Sequence, residues 1–249
     1  MSTYNVRFDA GLSEQVLQEF NGWVDQRVTK QMAYAQHVTL RRVAFMARDA
    51  VIDEMARRFD APTPYVLRRS VFVEAATKGY EVPRSRIFIS DGSNGGAVPP
   101  EDVLEPEYEG GARKPKRYER ILSKLPGAGG NMFWGPGGNI RLNRHGNIAP
   151  STLGKILRNI RADYALRKYG TSRTKYDTIG GIFIGRINGR LGAWKRVSKG
   201  HLAAMLIGYE RPPVYAPRVH FSGTVERTVA GRLGPTFREV FAKAMATAR

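Results

Sequence analysis

The order of hydrophobic patterns along this chain limits the folds that it can adopt. A helical pattern comes first, two short strand patterns follow, and a Gly/Pro-rich stretch separates them from a second helix, three strands and a last helix. No strand–helix–strand alternation repeats, which disfavours a doubly wound parallel sheet. We therefore predict an α+β fold in a single structural domain over residues 1–249. Its antiparallel sheet would be packed by a long N-terminal helix, a central amphipathic helix and a C-terminal helix.

The N-terminal helical stretch is expected to bury one stripe of small and apolar side chains. Ser13 is a candidate N-cap, and Gly22 marks a candidate break. Apolar positions then recur at spacings of three and four: Leu40, Ala44, Ala47, Val51, Met55 and Phe59. Because two of them are alanine, a neighbouring element can pack closely. Pro62 and Pro64 predict the end of the helix.

The remaining elements are predicted from strand and helix patterns. Strands are expected at Ser70–Ala76, Arg84–Ser90, Ile182–Ile187, Gly192–Val197 and Leu202–Tyr209. Further helices are expected at Lys116–Leu125, Pro150–Tyr169 and Phe221–Ala248, the last interrupted at Gly234-Pro235. Asn188-Gly189 predicts a tight turn between two strands. Residues 91–111 read as an extended loop or arm, and residues 126–148 as a Gly-rich loop region.

Composition excludes several classes of protein. The 249 residues contain no cysteine, which excludes disulfides, thiolate metal sites and cysteine nucleophiles. No apolar run approaches the roughly 20 residues that span a bilayer. The N-terminal residues lack a signal-peptide pattern. We expect a protein that is made in the cytoplasm and does not enter a membrane.

The charge is unevenly distributed. Of the net charge of +18, residues 1–60 contribute nothing, residues 61–150 contribute +4 and residues 151–249 contribute +14. Such a bias predicts an anionic partner, of which nucleic acid is the commonest. Candidate contacts to DNA or to an acidic partner are Arg113, Lys114, Lys116, Arg117, Arg120, Lys155, Arg158 and Arg161.

The basic cluster near Arg113 has two readings. Its cations could bind phosphates while Tyr118, Phe133 and Trp134 stack on bases. Alternatively, the cations form a solvated helix face and the aromatic rings belong to the core. Because no base-reading motif is present, any nucleic-acid contact is expected to be independent of sequence.

The sequence predicts no catalytic residue, no cofactor and no metal site. The Gly-rich segment Gly127–Gly138 lacks the Lys-Ser/Thr of a phosphate-binding loop. Glu101, Asp102, Glu105, Glu107 and Glu109 lack the spacing of a calcium loop. The four histidines are scattered, although His145 in R-L-N-R-H-G-N resembles part of a nuclease element. A nuclease using His145 and these acids is therefore an alternative hypothesis.

Several segments, in a fixed order, resemble a known family. They include R-R-F-D-A-P-T-P-Y-V-L-R-R-S, E-G-G-A-R-K-P-K-R-Y-E-R-I-L, G-N-I-A-P, G-G-I-F-I-G-R and P-R-V-H-F-S-G-T-V-E-R-T-V. Together they resemble the minor tail proteins of tailed bacteriophages and prophages, in particular the group similar to the phage lambda minor tail protein Z, a tail completion protein. The resemblance covers residues 28–249 and is strongest at Arg57–Thr77 and Glu109–Leu122.

The resemblance implies a virion structural protein without enzymatic activity. It would act in the tail or neck, near the head-proximal end of the tail, by ring assembly and head–tail joining, after synthesis in the host cytoplasm. The implied partners are other copies of the chain in a ring, with a hexamer as one candidate, the tail terminator and tail tube, and DNA passing through the lumen. The alternative from the residues themselves is a sequence-independent DNA-binding protein that uses its basic C-terminal half.

Overall fold

The computed structural model has the mixed helical and antiparallel fold that the sequence predicts. It describes residues 5–9, 26–76, 82–92, 99–125, 127–130, 132–169 and 180–247. The predicted N-cap at Ser13 and the break near Gly22 lie outside these residues. No described helix is both long and apolar enough to cross a membrane.

The chain forms two compact units in place of the single domain predicted over 1–249. The first unit contains Met1–Glu109 and Pro217–Arg249, and the inserted unit contains Gly110–Ala216. Each unit has a separate hydrophobic core, which is the physical reason for the division. The hydrophobic pattern shows which residues are buried but not which of them share a core.

The first unit joins a three-stranded sheet to long helices. Its elements are β1 (Asn5–Asp9), α1 (Gln26–Arg58), α2 (Pro64–Arg69), β2 (Val71–Glu74), β3 (Arg84–Ile89), α3 (Pro100–Tyr108) and α6 (Phe221–Ala246). The antiparallel sheet has the order β1-β3-β2. The two strands predicted at Ser70–Ala76 and Arg84–Ser90 are present as β2 and β3, which pair antiparallel with Phe72 opposite Phe88.

The predicted stripe on α1 is confirmed. Leu40, Ala44, Ala47, Val51 and Met55 are fully buried, and Phe59 packs against the same core. The sheet contributes Val71, Ile87 and Ile89 to this core, and α6 contributes Phe221 and Val225. The small side chains of α1 thus allow both the sheet and α6 to pack closely against it.

The predicted interruption at Gly234-Pro235 is wrong, because α6 is continuous from Phe221 to Ala246. A proline inside a helix costs about 3 kcal/mol through its missing N–H and its ring. Beyond the proline, however, Val240 and Ala244 are buried, and the Arg42 guanidinium of α1 lies 3.5 Å from the Glu239 carboxylate. Packing against α1 therefore offsets the lost hydrogen bond.

The inserted unit is built around a four-stranded antiparallel sheet. Its elements are β4 (Gly111–Ala112), α4 (Arg117–Ser123), β5 (Phe133–Pro136), α5 (Pro150–Tyr169), β6 (Ile182–Ile187), β7 (Arg190–Ser198), β8 (His201–Tyr209) and β9 (Val214–Tyr215). The strand order is β5-β8-β7-β6, and β4 pairs separately with β9. Because β4 begins the unit and β9 ends it, their pairing holds the two ends of the insertion together.

Local signals in the inserted unit are confirmed where they are strong. The amphipathic helix Pro150–Tyr169 has the predicted bounds, with Ile156 and Ile160 buried. Asn188 and Gly189 have φ values of 48° and 77°, the left-handed conformations that a tight hairpin turn requires.

Two segments predicted as loops contain regular structure. Within the predicted arm 91–111, residues Pro100–Tyr108 form α3, because proline suits the first turn of a helix and Leu104 and Tyr108 reach the core. Within the predicted loop 126–148, Phe133–Pro136 form β5, whose side chain Trp134 is buried. In both cases long-range burial outweighs the local preference of Gly and Pro for loops.

Candidate functional site

The net charge of the chain lies almost wholly in the inserted unit. Residues 110–216 contain 21 Lys/Arg against four Asp/Glu, a net charge of +17, whereas the rest of the chain contains 19 against 18. The basic region predicted from the sequence therefore has different bounds from the C-terminal portion 151–249. All eight candidate cations belong to the inserted unit.

Arg113 is committed to a buried ion pair. Its guanidinium donates two hydrogen bonds to the Glu119 carboxylate, Nη1 to Oε2 at 2.7 Å and Nη2 to Oε1 at 2.6 Å. The Glu119 side chain is fully buried, and Arg113 also stacks at 5.2 Å from the ring centre of Phe133. Arg113 was predicted as a surface contact, but its guanidinium is directed inward.

Glu119 organises the surrounding backbone. Besides Arg113, its carboxylate accepts the backbone N–H of Lys116 at 2.6 Å and that of Trp134 at 2.9 Å. Burial alone would raise the pKa of Glu119, but Arg113 and the two N–H groups outweigh burial and lower it. One carboxylate thereby ties the N-terminus of α4 to β5.

The aromatic residues beside the basic cluster belong to the core, so base stacking by Phe133 and Trp134 is not supported by their positions. Both residues are buried. The Tyr118 hydroxyl donates to the Trp134 carbonyl at 2.7 Å, and burial raises the pKa of Tyr118 to about 12. Of the two interpretations of these rings, the one that places them in the core is confirmed. Any binding of nucleic acid by the basic cluster would therefore occur through phosphate contacts.

The other predicted cations are exposed on two helices and the segment before α4. Lys114 and Lys116 precede α4, Arg117 and Arg120 lie on it, and Lys155, Arg158 and Arg161 lie on α5, all of them exposed. Of this set, Arg117 and Arg120 line the same cavity.

That cavity, which we call the α4 cleft, lies between α4 and the segment that returns to β5. It has a volume of about 500 Å³. Its lining includes the apolar side chains of Pro115, Ile121 and Met132 together with Arg117, Arg120, Ser123, Lys124 and Gly130. None of the described residues that line it carries a carboxylate.

Lys124, which is not among the predicted contacts, lines the cleft with Arg117 and Arg120. The three cations are separated by three and four positions, the spacing that places side chains on the same face of a helix. This spacing is visible in the sequence. The contribution of Ser123 is not visible in the sequence, because it depends on how the chain returns to β5. The Ser123 hydroxyl donates to the Met132 carbonyl and accepts the Met132 N–H, both at 3.2 Å.

One residue of the acidic cluster Glu101–Glu109, Glu107, forms a structural ion pair within the first unit. The Glu107 carboxylate binds Arg218 through two hydrogen bonds of 2.7 and 2.8 Å, and the Glu107 carbonyl accepts the N–H groups of Arg218 and Val219. Glu107 thus fixes the chain where it leads into α6. Among the described residues, no group of three or more His, Asp or Glu side chains is placed to hold a metal ion.

In the first unit, the buried carboxylate of Glu54 caps the N-terminus of α6. Glu54 accepts the N–H of His220 at 3.3 Å and the hydroxyl of Thr224. Burial opposes ionisation, but the hydrogen bonds from Thr224 and His220 lower the pKa of Glu54 overall. This carboxylate lies at the positive end of the α6 dipole, where a negative charge is stabilised.

The residues of the nuclease alternative fall in different units. His145 belongs to the inserted unit, whereas Glu101–Glu109 belong to the first unit. The His145 N–H donates to the Asn143 side chain at 2.9 Å, and its Nε2 accepts from Arg144 at 3.0 Å. These contacts stabilise a surface turn.

The fold and site define a two-unit α+β protein with a strongly cationic insertion. The chain matches no protein-family model, no curated protein and no solved structure.

Proposed function

We propose that this chain is a structural protein of a tailed bacteriophage, a minor tail or tail completion protein that acts at the head-proximal end of the tail or in the neck. The observation that carries the proposal is the ordered set of segments resembling minor tail proteins over residues 28–249. The protein would assemble with other copies into a ring and help to join tail and head.

The positions of these segments support a structural role. The segment at 109–122 forms the Arg113–Glu119 network, and the segment at 217–229 forms the Glu107–Arg218 and Glu54 contacts. In the segment at 57–70, the Thr63 hydroxyl caps α2 by accepting the Val66 N–H. The segments therefore supply contacts that connect elements of the fold, as expected of a structural protein.

An exposed aromatic pair offers a contact surface for other copies. Phe72 is 42% exposed on the sheet of the first unit, and its ring stacks on that of Phe88 at 6.2 Å. Val71, Ile87 and Ile89 point into the core, so the two rings lie on the opposite face of the sheet. A ring is built from heterologous contacts, in which a surface such as this one packs against a different surface of the neighbouring copy.

Deleting the gene from its phage genome is expected to abolish infectivity and to leave heads and tails unjoined. Electron microscopy and plaque assays of the lysate measure both effects, and a plasmid copy of the gene should restore them. Mass spectrometry should detect the chain in purified wild-type particles. Complete infectious particles from the deletion strain, or absence of the chain from virions, would contradict the proposal.

A second function, sequence-independent binding of DNA, is favoured by the concentration of charge in the inserted unit. Neutralising phosphates releases condensed counterions, so the logarithm of the affinity should fall linearly with the logarithm of the salt concentration. Fluorescence anisotropy with a labelled duplex at several salt concentrations measures this slope. Equal affinities are expected for duplexes of unrelated sequence. A flat salt response, or no binding at low salt, would remove this function.

A further inference from the structure

We propose that the α4 cleft is a binding site for the phosphodiester backbone of duplex nucleic acid. The inference rests on the second function proposed above, sequence-independent DNA binding, and locates that binding in the α4 cleft. Its basis is the convergence of Arg117, Arg120 and Lys124 on one cavity of about 500 Å³.

The cations of the cleft suit a run of phosphates. Arg117 and Lys124 are seven residues apart on or beside α4, about 10 Å along a helix axis, which exceeds the extent of one phosphate group. Two of the three cations are arginines, whose planar guanidinium matches phosphate oxygens through paired hydrogen bonds. The side of α4, rather than either of its ends, therefore presents the binding groups.

The floor of the cleft is held in place independently of these cations. Tyr118 and Ser123 bind the backbone of Trp134 and Met132, and Glu119 binds the Trp134 N–H. These hydrogen bonds fix α4 against β5. None of these hydrogen bonds uses the side chain of Arg117, Arg120 or Lys124.

The surroundings favour duplex over single-stranded nucleic acid and over an acidic protein. Stacking on exposed aromatic rings is a large part of single-strand binding. The neighbouring rings of Phe133 and Trp134 are buried, so the cleft offers charge without a stacking platform. A run of cations without an intervening carboxylate matches the regularly repeated charge of the phosphate backbone better than carboxylates spaced irregularly along a protein surface.

The test compares two triple variants of the full chain that remove the same charge. The cleft variant is Arg117→Ala/Arg120→Ala/Lys124→Ala, and the control is Arg190→Ala/Lys195→Ala/Lys199→Ala, three exposed cations of the same unit. With a fluorescein-labelled duplex, the affinity of the cleft variant at low salt should be more than about tenfold below that of the wild type. The slope of log affinity against log salt concentration should become smaller in magnitude by about 2–3. The control should lose less than half of either quantity. Circular dichroism verifies that both variants are folded.

Protection from chemical labelling tests the wild-type chain without any substitution. Bound duplex should slow acetylation of Lys124 by an amine-reactive reagent while Lys199 reacts at its free rate, as mass spectrometry of the peptides reports.

Equal protection of both lysines, or equal losses in the two triple variants, would overturn the assignment to the cleft while DNA binding itself stands. Displacement of the duplex by polyglutamate at equal charge concentration would show an acidic protein partner instead. Failure of the wild type to bind duplex at low salt would remove the second function together with the cleft.

Discussion

Replacing Glu119 with alanine is expected to lower the free energy of unfolding of the inserted unit by about 3–5 kcal/mol. The substitution leaves the Arg113 guanidinium, whose side chain is only 14% exposed, without a counter-charge. It also leaves the N–H groups of Lys116 and Trp134 without their acceptor. The cost is large because every group bonded to the carboxylate loses its partner at once.

Urea unfolding followed by tryptophan fluorescence measures this loss. Trp134 and Trp194 belong to the inserted unit, so a Trp23→Phe background makes the signal specific to that unit. The matched control is Glu210→Ala, because the Glu210 side chain is 75% exposed and pairs with Arg186 at 3.4 Å. An exposed pair contributes less than about 1 kcal/mol. Equal destabilisation by the two substitutions would contradict the role assigned to Glu119.

The contribution of Glu119 should depend on pH in a defined direction. Its folded pKa is lowered from the ordinary value of 4.5, mainly because hydrogen bonds from Arg113, Trp134 and Lys116 outweigh burial. A carboxyl with a lowered folded pKa stabilises the native state above its unfolded pKa, and this stabilisation is lost as the pH falls through the folded value. The difference between wild type and Glu119→Ala should therefore be full above pH 4.5 and should decrease below it.

Local patterns predicted the elements whose burial follows a simple period. The stripe from Leu40 to Met55 and the helix Pro150–Tyr169 were predictable because apolar residues recur at the helical period. The turn at Asn188-Gly189 was predictable because both residues tolerate left-handed conformations. In these places the residue types alone specify the conformation.

Contacts between distant residues were not predictable in this way. Glu107 and Arg218 are 111 positions apart, and nothing in either neighbourhood indicates the pair. The ends of the inserted unit are marked by the pairing of β4 with β9, two strands of two residues each, which are too short to show a periodic pattern. The charge was visible in the sequence, but its confinement to one unit becomes apparent only once residues 110 and 216 are known to bound that unit.

The site shows the same division between local and long-range information. Arg117, Arg120 and Lys124 share a helix face by spacing alone. The inward direction of Arg113 depends on a buried carboxylate, and the signal for that carboxylate is weak: a glutamate in the first turn of α4, where it can accept backbone N–H groups. In the sequence Arg113 is indistinguishable from its exposed neighbours, because charge alone does not separate a structural arginine from a binding one.

Gly137→Ala is expected to destabilise the inserted unit by about 3 kcal/mol, at the upper end of typical overpacking costs. A Cβ atom at this position would lie 2.3 Å from the Ala204 carbonyl oxygen and 2.6 Å from its carbon. The N–H of Gly137 also donates to the Met205 carbonyl at 2.9 Å, which holds the two backbones together. The clash is with main chain, so no change of rotamer can relieve it.

The backbone of β8 cannot move away from such a methyl group cheaply. Strand β8 lies between β5 and β7, and Leu206 is paired both with Pro136 of β5 and with Ala193 of β7. Moving Ala204 outward would thus stretch hydrogen bonds on the β7 side, whereas moving Gly137 away would separate β5 from the sheet and expose Trp134. Either response loses packing in the same core.

The adjacent Gly138 provides the matched control. A Cβ atom at Gly138 would meet no heavy atom within 4 Å, and its φ is outside the left-handed region that disfavours alanine. Gly138→Ala should therefore change the free energy of unfolding by less than about 1 kcal/mol, with a gain possible through the reduced entropy of the unfolded chain. Urea unfolding of both variants in the Trp23→Phe background compares them directly. Similar stabilities for the two variants would contradict the close approach of Gly137 to Ala204 and, with it, the fixed position of β5 beside α4.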